Sequence, residues 1–174
     1  RGLGDVYKRQ LMNEFNSDRV LLQERMINAF EALKNFDQVD KNKTGAIGFC
    51  FGGKCALDLA RSGEDIKGVV SFHGLYDAPT ASTGKQLKGT LKIDSSILIL
   101  HGYDDPMATP KSMIDLADEL NSKKAKWQIH AYGNVGHAFT NPEANQRESG
   151  LFYDQYADEH SWNEMKNFFS KLFL

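Results

Sequence analysis

Three kinds of side chain able to perform acyl transfer stand in order along this chain: a thiol at Cys50, carboxylates at Asp104 and Asp105, and an imidazole at His137. Cys50 lies within Gly48-Phe49-Cys50-Phe51-Gly52-Gly53. A free thiol is already partly ionised near neutrality, and a helix N-terminus favours its thiolate further. The pattern G-x-C-x-G is that of a nucleophile elbow carrying cysteine in place of serine. Such a nucleophile stands on a strained turn, where small neighbours two residues to either side, Gly48 and Gly52, are wanted. The first N–H of the following helix, that of Phe51, is then aimed at the reacting carbonyl oxygen. A buried structural cysteine in a glycine-rich turn is the plainer reading of the same residues. The acid and the histidine decide between the two.

Those groups need elements to hold them. Short apolar runs predict strands at 44–49, 67–72, 97–100 and 126–132. The run Ile97-Leu98-Ile99-Leu100 has no alternation, as expected of a strand buried on both faces. Helical spacing predicts helices at 19–35, 51–62, 110–121 and 161–172. The first carries Leu22, Met26, Ala29, Phe30 and Leu33 on one face, with Asn16, Ser17 or Asp18 as its cap. Pro110 suits a first helical turn. Alternating strands and helices imply a parallel sheet with right-handed crossovers. Cys50, the Asp104-Asp105 pair and His137 each fall just past the carboxyl end of a strand, the edge where open α/β sheets place their sites. The polar loop 74–95 is long enough for a lid or pocket wall, or for a solvated insertion.

On these residues the chain resembles the dienelactone hydrolase family, a branch of the α/β hydrolases with a Cys-Asp-His triad. The matching stretches are Gly48 to Gly53, Gly68-Val69-Val70-Ser71-Phe72-His73-Gly74, His101-Gly102-Tyr103-Asp104-Asp105-Pro106 and Gly136-His137-Ala138-Phe139-Thr140-Asn141-Pro142. The tail with Ser161-Trp162 and Phe168-Phe169 also fits. The resemblance runs from about Arg19 to the C-terminus and implies an α/β-hydrolase-type parallel sheet with flanking helices. It implies Cys50 as nucleophile, Asp105 as orienting acid, His137 as base and the Phe51 N–H as one oxyanion donor. Asp105 is preferred to Asp104 also because Pro106 holds it extended. The implied substrate is a small ester or lactone, with no metal or organic cofactor. Dienelactone-type members place an arginine shortly after the histidine; here Asn141 stands there and the nearest arginine is Arg147.

The start of the chain reads differently. Gly4-Asp5-Val6-Tyr7-Lys8-Arg9-Gln10 resembles the in-frame translation of a sequencing-library adapter, so 1–10 is expected to be adapter-derived. In the family, several strands and a loop giving a second oxyanion N–H precede helix 19–35. Residues 11–174 are therefore expected to be the C-terminal part of a single α/β-hydrolase domain lacking its N-terminal strands, and by itself poorly active.

Composition narrows the class. The 174 residues are one domain's worth of chain, 41% hydrophobic and 25% charged, with net charge −2. That balance carries no basic footprint for nucleic acid or an anionic membrane. No apolar run approaches about 18 residues. Cys50 and Cys55 have no metal-ligand spacing and read as free thiols suited to a reducing cytoplasm, with Cys55 a small core residue. Of the other histidines, His101 reads as structural, His130 as packed or solvent-facing, and His160 as surface. His73 ends a strand on the catalytic edge and is the candidate substrate contact, though packing is its plainer reading.

The residues together predict hydrolysis of a carboxylic ester or lactone. Two rival classes remain at this level. A cysteine amidotransferase-like enzyme wants a glutamate two residues past its histidine, where this chain has Phe139. A non-enzymatic or redox-sensing protein could carry the elbow as a relict.

Overall fold

The structure, a computed structural model, describes residues 3–79, 87, 89 and 92–174. Helix α1 (Leu3–Ser17) is followed by α2 (Arg19–Lys34), β1 (Gly45–Phe49), α3 (Phe51–Arg61), β2 (Gly68–Phe72), β3 (Ser96–Gly102), α4 (Pro110–Ser122), β4 (Lys126–Tyr132), the short strands β5 (Asn145–Gln146) and β6 (Leu151–Phe152), and α5 (Gln155–Leu172). The four long strands pair in the order β1-β2-β3-β4, every pair parallel. The sequence-predicted parallel sheet with flanking helices is therefore what the chain forms.

The core follows from the pleat. Successive residues of a strand face opposite sides. On β2 and β3, Val69, Ile97 and Ile99 face one way, into a cluster with Ile27 and Phe30 of α2, Leu57 and Ala60 of α3, and Leu116 and Leu120 of α4. Val70, Phe72, Leu98 and Leu100 face the other way, onto Val135, Phe139 and the α5 residues Ala157 and Met165. The result is a helix–sheet–helix sandwich whose central strands are covered on both faces. At the β1 edge, Ile47 and Phe49 are 45% and 41% exposed.

Two helices depart from the sequence reading. Helix α1 crosses the stretch 3–10 that sequence set apart. None of residues 6–17 is buried, although Val6, Tyr7, Leu11, Met12 and Phe15 fall at helical spacing along it. Helix α5 begins six residues before the expected 161, because Asp154 caps it by accepting the Ala157 N–H at 2.9 Å and its first turn is polar. Asp18 caps α2 through the Leu21 N–H at 3.0 Å. Of the loop 74–95, residues 80–86, 88, 90 and 91 lie outside the described residues, and the lid expectation falls mainly on them.

A buried ion network fastens the elbow helix to its neighbours. Asp58, fully buried in α3, accepts two branches of Arg19 from α2, at 2.7 and 3.0 Å, and Arg61 from its own helix at 3.1 Å. Arg61 continues to Glu119 of α4 at 2.6 Å and to the Tyr76 carbonyl at 3.1 Å. Lys54 and Arg19 both reach Asp77, at 2.8 and 2.5 Å, and Lys54 also donates to Asn16 at 2.9 Å. Removing one member strands the others as buried charges. Asp58→Ala is therefore expected to cost about 3–5 kcal/mol of stability, read from the denaturant midpoint; a loss under about 1 kcal/mol would mean that water already screens the network.

Candidate active site

The elbow is a one-residue turn. β1 ends at Phe49 and α3 begins at Phe51, leaving Cys50 between them with φ 52° and ψ −119°. An L-residue held there stores about 1–3 kcal/mol. The neighbours over-determine it: the Cys50 N–H donates to the Phe72 carbonyl at 3.0 Å, and the Gly53 N–H donates to the Cys50 carbonyl at 3.0 Å. A Cβ on Gly48 would sit 1.9 Å from the Gly52 carbonyl oxygen, so glycine is obligatory there.

Gly52 corrects the sequence reading. A Cβ on it would meet nothing within 4 Å, because its carbonyl, not its Cα, makes the close approach. The second crowded position is Gly53, whose Cβ would lie 2.3 Å from the Ser71 Oγ and 2.9 Å from the Gly74 Cα. Gly48→Ala should thus destroy the elbow. Gly52→Ala, inside a helix and facing open space, should gain about 0.5–1 kcal/mol. Thermal unfolding of the two variants checks this, and equal losses in both would contradict the packing described.

Two loops bring the acid and the histidine together. β3 ends at Gly102, where a Cβ would lie 2.3 Å from the Gly136 carbonyl oxygen. The Asp104 N–H donates to the Val135 carbonyl at 2.9 Å. With the loops after β3 and β4 laid backbone on backbone, Asp105 Oδ2 meets His137 Nδ1 at 2.7 Å. Asp105 Oδ1 accepts the Met107 and Ala108 N–H groups, at 2.7 and 3.2 Å, which fixes the carboxylate plane. Asp105 and His137 are 2% and 3% exposed, whereas Asp104 is exposed. A carboxylate can only accept, so Nδ1 carries the proton and Nε2 is left for other chemistry. Nε2 is buried and makes no hydrogen bond in the structure.

The thiol and the imidazole shift each other. Burial pushes the Cys50 thiol up, but its interaction with His137, with help from the Phe51 N–H, outweighs that and holds the thiol below its ordinary value. Burial also opposes charge on His137. The Asp105 hydrogen bond and the interaction with Cys50 overcome that and raise the ring to about 9. The two shifts are reciprocal: each group favours the charged form of the other. The Phe51 N–H, at the first position of α3, faces the Cys50 sulfur as an elbow donor should.

The remaining candidates fall elsewhere. His73 is 4% exposed; its Nε2 lies 2.8 Å from the Thr140 Oγ1, and its ring meets His137 and Phe139. His101 is fully buried with Nδ1 3.0 Å from the Tyr76 hydroxyl, a structural partner as sequence suggested. His130 lies 4.0 Å from Glu164, and His160 lies within α5 against Tyr156. Cys55 is half-buried, and burial, then Asp58, raises its thiol to about 11. Arg147 is exposed, with its guanidinium over the Phe152 ring at 4.1 Å. Sequence reasoning missed Thr140 and the ion network. A hydroxyl three residues past the histidine carries no signal of its own, and the network's charged residues resemble an ordinary solvated helix face.

The chain is similar to known proteins over most of its length. The dienelactone hydrolase family matches residues 5–173. An uncharacterised protein of Caenorhabditis elegans is 36% identical over 154 residues, 87% of this chain and 94% of that protein. A Saccharolobus solfataricus protein named for carboxymethylenebutenolidase activity is 27% identical over 158 residues, 89% of this chain but only 55% of its own length. Among solved structures, a dienelactone hydrolase-like promiscuous phosphotriesterase from metagenomic libraries superposes with a TM-score of 0.80 at 37% identity, covering 94% of this chain and 66% of that one.

Proposed function

Because the chain belongs to the dienelactone hydrolase family, we propose that Cys50, His137 and Asp105 hydrolyse small carboxylic esters or lactones through a thioester. The observation that carries this reading is His137, hydrogen-bonded to buried Asp105 at 2.7 Å and electrostatically paired with the elbow thiol of Cys50. The Cys50 thiolate attacks the carbonyl carbon and a C–S bond forms. The carbonyl π pair moves to oxygen, where the Phe51 N–H receives it. As the carbonyl re-forms, the C–O bond breaks and His137 Nε2–H protonates the departing alkoxide. His137 then takes a proton from water, whose oxygen attacks the thioester. Collapse releases the carboxylic acid and returns Cys50. Asp105 accepts the Nδ1–H hydrogen bond and holds that tautomer.

Asn141, four residues past His137, supplies no cation for a substrate carboxylate, and this favours neutral acyl groups. The unpaired thiols of Cys50 and Cys55 suit a reducing cytoplasm. No described helix is long and apolar enough to cross a membrane.

The test is a substrate panel: p-nitrophenyl acetate, dihydrocoumarin as a neutral lactone, a neutral phosphotriester and a p-nitrophenyl ester with an anionic acyl group. The neutral ester and lactone should be hydrolysed, with kcat/KM above that for the anionic ester. Absence of turnover on every ester and lactone, with Cys50 fully reactive toward iodoacetamide, would favour a redox role for the elbow.

A further inference from the structure

His73 is a strained residue at the catalytic edge that the triad does not use. It follows β2, its N–H donating to the Leu100 carbonyl at 2.8 Å, and its φ of 35° is one that side-chain-bearing residues rarely adopt. Such strain persists only where the surroundings impose it. Here they do. The next residue, Gly74, is packed backbone to backbone on Gly53 of the elbow helix, with the Ser71 side chain against both. The turn that carries the His73 ring is thus fixed relative to Cys50.

The ring itself grips the histidine loop at three points. Its centroid is 5.0 Å from the His137 ring at 68° and 5.1 Å from the Phe139 ring at 80°, both edge-to-face. Its Nε2 lies 2.8 Å from the Thr140 Oγ1. His137 needs such a support. A single hydrogen bond from Nδ1 to Asp105 fixes one point of the imidazole but leaves the ring free to rock about that axis. Rocking carries Nε2 off the line to the sulfur, and proton transfer is sensitive to such displacement. Only a neighbour against the ring itself prevents it.

We propose that His73 is a positioning residue: anchored by Thr140, its ring holds the His137 imidazole in the plane from which Nε2 exchanges a proton with Cys50. Its Nε2 is taken up by Thr140 and its ring by His137 and Phe139, which makes support of the imidazole its role. The ring is also uncharged in the working range. Burial first, then the neighbouring His137 charge, pushes it down to about 4, so it does not oppose imidazolium formation on His137.

The inference rests on the Cys50–His137 reading, and two readouts separate the failure of one from the failure of the other. The first is the pH dependence of Cys50 alkylation by iodoacetamide, which needs no turnover. The second is kcat and KM on p-nitrophenyl acetate. Cys50→Ala is the control: retained esterase activity in it would overturn the triad, and this proposal with it. In His73→Asn, kcat should fall about 10-fold to 100-fold at nearly constant KM, and the alkylation profile should move to higher pH. His73→Phe, which keeps a flat ring against His137 but not the Thr140 anchor, should recover part of that loss. Thr140→Val, which removes the anchor but leaves the ring buried, should lower kcat by less than His73→Asn at nearly constant KM, and it carries the test should His73→Asn fail to fold. A rise in KM at unchanged kcat would make His73 a substrate contact and overturn the proposal. So would full kcat in Thr140→Val, or a loss in His73→Phe equal to that in a well-folded His73→Asn.

Discussion

Replacing Cys50 with alanine is expected to remove ester hydrolysis by about 10⁶-fold, the scale seen when a triad nucleophile is lost, while Cys55→Ala leaves it within a few-fold. The two thiols sit five residues apart yet in opposite electrostatic settings. Cys50 is lowered by His137 and the Phe51 N–H against the effect of burial. Cys55 is raised to about 11 by burial and by Asp58. The first therefore offers more thiolate than the second at any pH between them. Iodoacetamide at pH 7 should accordingly label Cys50 before Cys55, which peptide mapping reads directly. Equal labelling, or turnover surviving in Cys50→Ala, would place the nucleophile elsewhere.

The second large effect separates the adjacent carboxylates. Asp105→Asn should cost about 10⁴-fold in kcat, as loss of the orienting acid does in a comparable triad. Exposed Asp104→Asn should cost little. The sign of the accompanying pH shift is fixed by the structure. Asp105 is the foremost of the groups that raise His137 to about 9. Removing its charge lets burial dominate, so the ring's pKa falls and the imidazolium is lost at neutral pH. Cys50 then loses its partner, and its alkylation midpoint moves up. A downward or absent shift in Asp105→Asn, or a larger loss in Asp104→Asn, would contradict the assignment.

What could be read from sequence was whatever is local or fully apolar. The elbow showed itself because Gly48 and Cys50 answer to one sharp turn. β3 showed itself because Ile97 to Leu100 is buried on both faces and carries no polar residue. Asp105 could be told from Asp104 only with help from Pro106 and the family resemblance, and the structure joins it to His137. What stayed hidden depends on long-range packing. Whether Gly52 or Gly53 is the crowded glycine is set by Ser71 and Gly74, about twenty residues away. The burial of Arg19, Lys54, Asp58 and Arg61 exists only once four elements meet. For His73, whose strand ends at the catalytic edge, sequence left a substrate contact and a packed residue both open. The closure over it comes from Phe139 and Thr140, on a loop far along the chain.

The most direct measurement is the mass of the enzyme during turnover. The chain is mixed with p-nitrophenyl acetate, quenched in acid within the first turnover, digested and mapped. The account predicts one acetyl group on the peptide that holds Cys50, removable by hydroxylamine as a thioester is, and absent in Cys50→Ala. An acetyl group on another residue, or p-nitrophenol released with no adduct on Cys50 at any quench time, would contradict a cysteine nucleophile at this elbow.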